Sequence, residues 1–185
     1  MGSRVFPRRG RLKRAEPMDD RPGMGSALPE GSSPANEAME RATTVPGLLQ
    51  AVGAELVELL EARACTVSRV VGDVLVLLVE VAPGGESLQL GLGYLIPDFP
   101  LTQDVIARGE PRAVALRDDD PDPREAALLQ ELGFDSLLML PLAAHGQCWG
   151  LVEVFGSSRS RFGGQDAKLA EAVVARAGAL LEPLL

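Results

Sequence analysis

Residues Asp135 to Phe155 read DSLLMLPLAAHGQCWGLVEVF. Two runs, Asp135 to Ala143 and Gln147 to Phe155, flank Ala144, His145 and Gly146, and a three-residue loop with Gly last suits a type I turn closed by a bulge. The loop predicts a hairpin with Met139 opposite Leu151, Pro141 opposite Trp149 and Leu137 opposite Glu153. On the other face Leu138 meets Val152 and Leu140 meets Gly150. Both faces are apolar. Such a strand pair needs cover above and below, which places it at the centre of a three-layer sheet fold.

Working outward toward the C-terminus, Gly163 and Gly164 precede a helix with Asp166 in its first turn. Its expected apolar stripe is Leu169, Val173, Ala177 and Leu180, while Ala170, Ala172, Ala175 and Ala179 leave other parts of its surface small and flat. Toward the N-terminus, Arg124 to Leu132 reads as a helix stopped by Gly133, with Asp118 to Asp122 suiting its N-terminus. A calcium loop counted from Asp118 fails, because Pro123 stands where Gly is needed and Leu129 where Glu is needed. Arg112 to Arg117 reads as a strand and Leu101 to Arg108 as a short helix. Leu88 to Tyr94 is a further strand, in which Gly91 and Gly93 let the backbone approach another segment closely. Cys65 to Val71 and Asp73 to Ala82 are two strands joined at Gly72. Thr44 caps the first expected helix, whose stripe is Leu48, Val52, Leu56, Leu59 and Leu60 and which ends near Ala64. The first and last helices are expected to cover one sheet face together or to extend into a dimer bundle.

The chain of 185 residues has room for one domain plus an appendage. Residues 1 to 40 hold seven basic and six acidic side chains, and residues 41 to 185 hold eleven and twenty. The second part therefore carries a charge of -9, which repels phosphates, so no nucleic-acid partner is expected. Arg4, Arg8, Arg9, Arg11, Lys13 and Arg14 lie among Pro, Gly and Ser. Residues 1–43 accordingly read as a disordered basic tail and 44–185 as one domain. The basic cluster is alternatively a weak anchor for acidic partners or lipid, or sequence upstream of a start at Met18, Met24 or Met39. Two cysteines without a CxxC pair and a single histidine exclude a disulfide scaffold and a structural zinc site. No apolar run is long enough to span a bilayer and no secretory signal opens the chain, so cytoplasmic residence is the expectation.

The order of these elements resembles the GAF domain family, small-molecule sensing modules of signalling proteins. The segments that carry the resemblance are YLIPDFPLTQDVIARGEP at Tyr94 to Pro111, LGFDSLLMLPL at Leu132 to Leu142, WGLVEVF at Trp149 to Phe155, and Phe162 with Asp166 four residues on. The resemblance implies an α+β, PAS/profilin-like three-layer fold: a central antiparallel sheet, terminal helices on one face, short helices and loops over the other. It also implies a chiefly apolar ligand cavity. One side would be Leu137, Met139, Leu151, Glu153 and Phe155, and the other Tyr94, Phe99, Leu101 and Val105. The same residues also suit a filled core. Glu153 is the one charge on its stripe, so it pairs with an Arg such as Arg69 or Arg117, receives hydrogen bonds, or binds ligand.

Departures from the functional subtypes narrow the reading. Cyclic-nucleotide-binding members carry an Asn, Lys, Phe, Asp, Glu signature, of which only Phe162 and Asp166 stand here. Neither Cys65 nor Cys148 has the neighbouring His usual in bilin attachment. The methionine sulfoxide reductases of this fold use several loop cysteines. No phosphate-cradling Gly-Lys-Ser, HExxH or nucleophile elbow is present, and no cofactor or metal is expected. The reading that results is a non-enzymatic sensor of a small molecule, signalling in trans or through a dimer of its terminal helices, since no output domain follows Leu185. A ligand-free interaction module is the alternative, and a redox enzyme using Cys65 or Cys148 ranks last.

Overall fold

The computed structural model describes residues 33–84, 88, 93–157 and 162–185. Among the described residues, six strands form one antiparallel sheet: β1 (Ala64–Val71), β2 (Val74–Val81), β3 (Gly93–Leu95), β4 (Arg112–Ala115), β5 (Ser136–Ala144) and β6 (Gln147–Gly156). Their spatial order is β3-β2-β1-β6-β5-β4, which puts the hairpin's second strand in the interior of the sheet. Five α-helices among the described residues accompany them: α1 (Pro34–Arg41), α2 (Val45–Leu59), α3 (Pro100–Arg108), α4 (Pro123–Leu132) and α5 (Gly164–Leu181). One apolar cluster joins α1, α2 and α5 to one sheet face through Leu48, Val52, Leu56, Leu138, Val152 and Val174. A second joins α3 and α4 to the other through Val105, Leu129, Leu137, Leu151 and Phe155. The three expected layers are present.

The hairpin register differs from the expectation, and instructively. The turn has two residues, His145 and Gly146, with φ of 50° and 72°. Two left-handed residues in succession match the natural twist of a hairpin, which a three-residue loop does not require. Trp149 is then the extra residue of a bulge, since Ala143 pairs with Cys148 but Leu142 pairs with Gly150. Each change moves the pairing by one residue, and together they move it by two. Met139 therefore lies opposite Glu153, Pro141 opposite Leu151, Leu137 opposite Phe155, Leu138 opposite Val154 and Leu140 opposite Val152. A shift of two leaves every side chain on its expected face; either shift alone would have reversed them all.

Most element boundaries follow local chemistry. Thr44 Oγ1 accepts from Gly47 N at 3.3 Å to start α2, Asp122 Oδ1 accepts from Arg124 N and Glu125 N at 2.9 and 3.1 Å to start α4, and left-handed Gly109 and Gly133 end α3 and α4. Helix α2 ends at Leu59 rather than near Ala64, because Glu61 adopts φ 48° and Ala62 N closes back on Val57 O. Leu59, its last residue, is exposed, whereas Leu60 just beyond it stays buried. Strand β4 ends at Ala115, where Asp118 Oδ2 accepts from the Ala115 amide at 2.8 Å. Of the strand expected over Leu88 to Tyr94, the described residues form Gly93–Leu95; residues 89–92 lie outside the described residues. A Cβ on Gly93 would meet Leu75 O at 2.0 Å, so only glycine fits there.

Two expectations need correction. Helix α1 falls inside the stretch read as tail through residue 43. Ser33 caps it by accepting from Asn36 N, Pro34 suits its first turn, and Met39 is buried in the cluster with α2 and α5. The basic cluster itself lies outside the described residues. In α5 the buried positions are Ala170, Val174, Ala177, Gly178 and Leu181, whereas Leu169, Val173 and Leu180 are half-buried. The reason is close approach: a Cβ on Gly178 would lie 2.3 Å from Ala143 O, so small residues face the sheet and larger ones flank the contact.

Gly178→Ala tests that contact. Alanine normally gains about 1 kcal/mol over glycine inside a helix, so a stabilised variant in urea denaturation would contradict the packing. The expected outcome is a loss of about 1 to 3 kcal/mol, the usual cost of overpacking.

Candidate functional site

The face beneath α3 and α4 is built by strand alternation. It receives Ala64, Thr66 and Ser68 from β1, Leu137 and Met139 from β5, and Leu151, Glu153 and Phe155 from β6. Helix α3 adds Thr102 and Val105, and α4 adds Glu125 and Leu129. All nine residues named from the sequence lie on this side. Val105, Leu137, Met139, Leu151 and Phe155 share one apolar cluster, with Tyr94 and Leu101 packed against it. The Phe99 ring meets the Tyr94 ring edge-on at 4.8 Å, and the Tyr94 hydroxyl donates to Glu153 Oε1 at 3.0 Å. The five cluster members are fully buried, Phe99 and Glu153 nearly so, and Tyr94 and Leu101 half-buried. The floor is packed, and Tyr94 and Leu101 form its half-buried rim.

Glu153 is 3% exposed, and Thr66 Oγ1 donates to its Oε2 at 3.2 Å. Burying a carboxylate costs several kcal/mol before compensation, and each hydrogen bond to a charged group returns about 1.5 to 3 kcal/mol. Tyr94 and Thr66 thus perform the role for which an Arg was one expected candidate. Arg69 instead stands 4.6 Å over the Trp149 ring, three residues from Thr66 and so on the opposite face of β1, and Arg117 is exposed beyond β4.

A second buried carboxylate was not anticipated. Glu125 has no exposed surface, and Thr102 Oγ1, equally buried, donates to its Oε1 at 2.8 Å. The same hydroxyl lies 3.5 Å from Met139 Sδ, and Met139 is the cross-strand neighbour of Glu153. The expected chiefly apolar lining therefore contains Glu153, Glu125, Thr66, Thr102 and the Tyr94 hydroxyl. An acidic residue in a helix's first turn reads as a match to the helix dipole, which hid Glu125. The signal that identifies it is spacing: Glu125, Leu129 and Leu132 fall on one stripe of α4.

The remaining candidates are dispersed. His145 is at the exposed turn, its amide donating to Glu182 Oε1 at 2.8 Å. Among the described residues, no group of His, Cys, Asp and Glu side chains is arranged to hold a metal ion. No helix among them is long and apolar enough to cross a membrane. Cys65 is fully buried in β1, and Cys148 is half-buried in β6 with Sγ 3.4 Å from Gly150 O. Burial pushes the Cys65 thiol well above its usual range and the nearby Glu153 charge pushes it further, while burial also raises Cys148. Both shifts suppress the nucleophilic thiolate.

This burial has a measurable consequence. The folded state keeps the Cys65 proton while the unfolded chain releases it near 9.0, so stability present below that value is lost as pH rises through it. Above pH 9 the loss from this group is about 1.4 kcal/mol per pH unit. Denaturation of Cys65→Ala is expected to show a correspondingly shallower decline over pH 9 to 10.5; identical slopes would show that the thiol is not protected.

The fold has counterparts among solved structures. The chromophore-binding domain of Stigmatella aurantiaca bacteriophytochrome superposes with a TM-score of 0.66 at 16% identity, over 80% of this chain and 57% of that one. The corresponding domain of an unusual bacteriophytochrome from R. palustris gives 0.69 at 11%, over 81% and 59%. JSC1_58120g3, solved in its far-red absorbing dark state with bound biliverdin IXa, gives 0.66 at 14%, over 81% and 96%. The chain thus spans less than two thirds of the two bacteriophytochrome domains. No curated protein sequence matches it. The GAF domain profile matches residues 45–181, from the first residue of α2 to the last of α5, and the chain belongs to the GAF domain family.

Proposed function

We propose that residues 44–185 form a non-enzymatic sensory module that binds a small molecule beside Glu153, between the Tyr94 and Leu101 rim and the floor of Met139 and Leu151. The observation that carries this reading is a buried carboxylate held by two hydroxyls within an otherwise apolar face. Such a mixture of apolar walls and few, oriented polar groups is what small-molecule sites use. The structural counterparts, a bacteriophytochrome chromophore-binding domain and JSC1_58120g3 with biliverdin IXa bound, support ligand binding by this fold. Five of the nine lining residues already fill the floor, so the ligand is smaller than biliverdin, with an aromatic or apolar body and a hydrogen-bond donor directed at Glu153. Binding shifts the population of packing states of the terminal helices, and the signal passes in trans or through a dimer in the cytoplasm. The raised thiols of fully buried Cys65 and half-buried Cys148 favour a non-catalytic role.

The completeness of the floor's burial also favours the second reading, a ligand-free GAF interaction module. A thermal-shift screen of aromatic amines and amino-substituted heteroaromatics separates the two. Sensing predicts a compound that raises Tm by several degrees, whose affinity falls at least tenfold in Glu153→Gln and is lost in the rim-blocking Leu101→Trp. No shift across the screen, with a dimer or partner complex seen by light scattering, would favour the interaction module.

A further inference from the structure

Helix α1 packs against α2 and, more lightly, against α5, two helices that also pack against each other. It runs antiparallel to α2: Ser33 Oγ at its start donates to Glu55 Oε2 late in α2, and only Ala42 and Thr43 separate its end from the Thr44 cap. On the other side, Arg176 of α5 donates to Asn36 Oδ1 at 2.6 Å and pairs with Glu40. Of its eight residues only Met39 is buried; Pro34, Glu37, Ala38, Glu40 and Arg41 are exposed. The attachment is therefore one apolar plug and a rim of partly exposed polar contacts.

These features set α1 apart energetically. A helix of eight residues is too short to persist alone in water, so its order comes from docking. Docking through one buried side chain supports far less cooperativity than the multiple buried positions of α2 and α5. The Arg176 and Glu40 side chains are substantially exposed, so salt weakens their attraction.

We propose that α1 is a detachable strap, closed by Met39 and latched by Arg176, which opens by local unfolding while the sheet and α2 and α5 remain folded. Opening uncovers the seat of Met39 between α2 and α5 and frees the Arg176 guanidinium. Ionic strength, or any ligand competing for Arg176, then controls a surface at the terminal helices without disturbing the sheet. This inference does not depend on the ligand site.

Hydrogen exchange of the full chain tests it. In the wild type, amides of residues 35–42 are expected to show measurable protection but to exchange at least tenfold faster than those of residues 52–57, with little denaturant dependence. Raising NaCl from 50 to 500 mM should speed only the first group, several-fold. Met39→Ala and Arg176→Gln should each accelerate that group by about tenfold or more and leave residues 52–57 and β6 unchanged. If Met39→Ala fails to fold, Arg176→Gln and the salt series still decide. Equal protection and equal denaturant dependence for the two groups would show α1 to be part of the cooperative core. Absence of any protection in residues 35–42 would show that the strap is not closed. Either result overturns the proposal.

Discussion

Strand β6 is flanked by β1 and β5 and pressed by apolar side chains from both directions, and the other features of this molecule are arranged around that condition. Its alternate residues serve two different layers: Val152 and Val154 belong to the helical side, Leu151 and Phe155 to the side of the candidate site. A polar residue placed on such a strand is almost wholly withdrawn from water and must be satisfied in place. Glu153 is that residue, and its position fixes where Thr66 and Tyr94 must present their hydroxyls. The site is thus a consequence of the sheet's depth as much as of its loops.

The alternation that buries β6 also explains what could be read in advance. Periodicity of apolar residues, together with Gly and Pro punctuation, located the core strands, α2, α4 and the two faces of the hairpin. Register was harder, because turn length and bulge position depend on backbone conformations that His145 and Gly146 adopt only in context. The face assignment survived because the two one-residue offsets sum to an even shift. In α5, residue size misled: Ala170 and Gly178 lack the area that marks a buried stripe, yet their smallness lets the helix touch Ala143. For α1, composition argued against order, while Ser33 and Pro34 carried a start signal and one methionine supplied the core contact.

The candidate site was legible in its apolar part and incompletely so in its polar part. All nine residues expected at the site share one side of the sheet, since strand parity and the α3 segment suffice to place them. Thr66, Thr102 and Glu125 were not foreseen because each has an ordinary alternative: a β-branched strand residue, a polar residue in a short helix, an acid near a helix N-terminus. Only packing of three separate elements brings Thr102, Glu125 and Met139 into contact.

The bulge in β6 has an optical corollary. Its extra residue is the chain's sole tryptophan, nearly buried, with a guanidinium over its ring and its indole nitrogen without a hydrogen-bond partner among the described residues. Tryptophan emission from this protein consequently originates at a single, chemically distinctive point on the interior strand. Its wavelength and quenching report the polarity at that point alone, which makes the native chromophore a local gauge of how firmly the sheet's centre is closed.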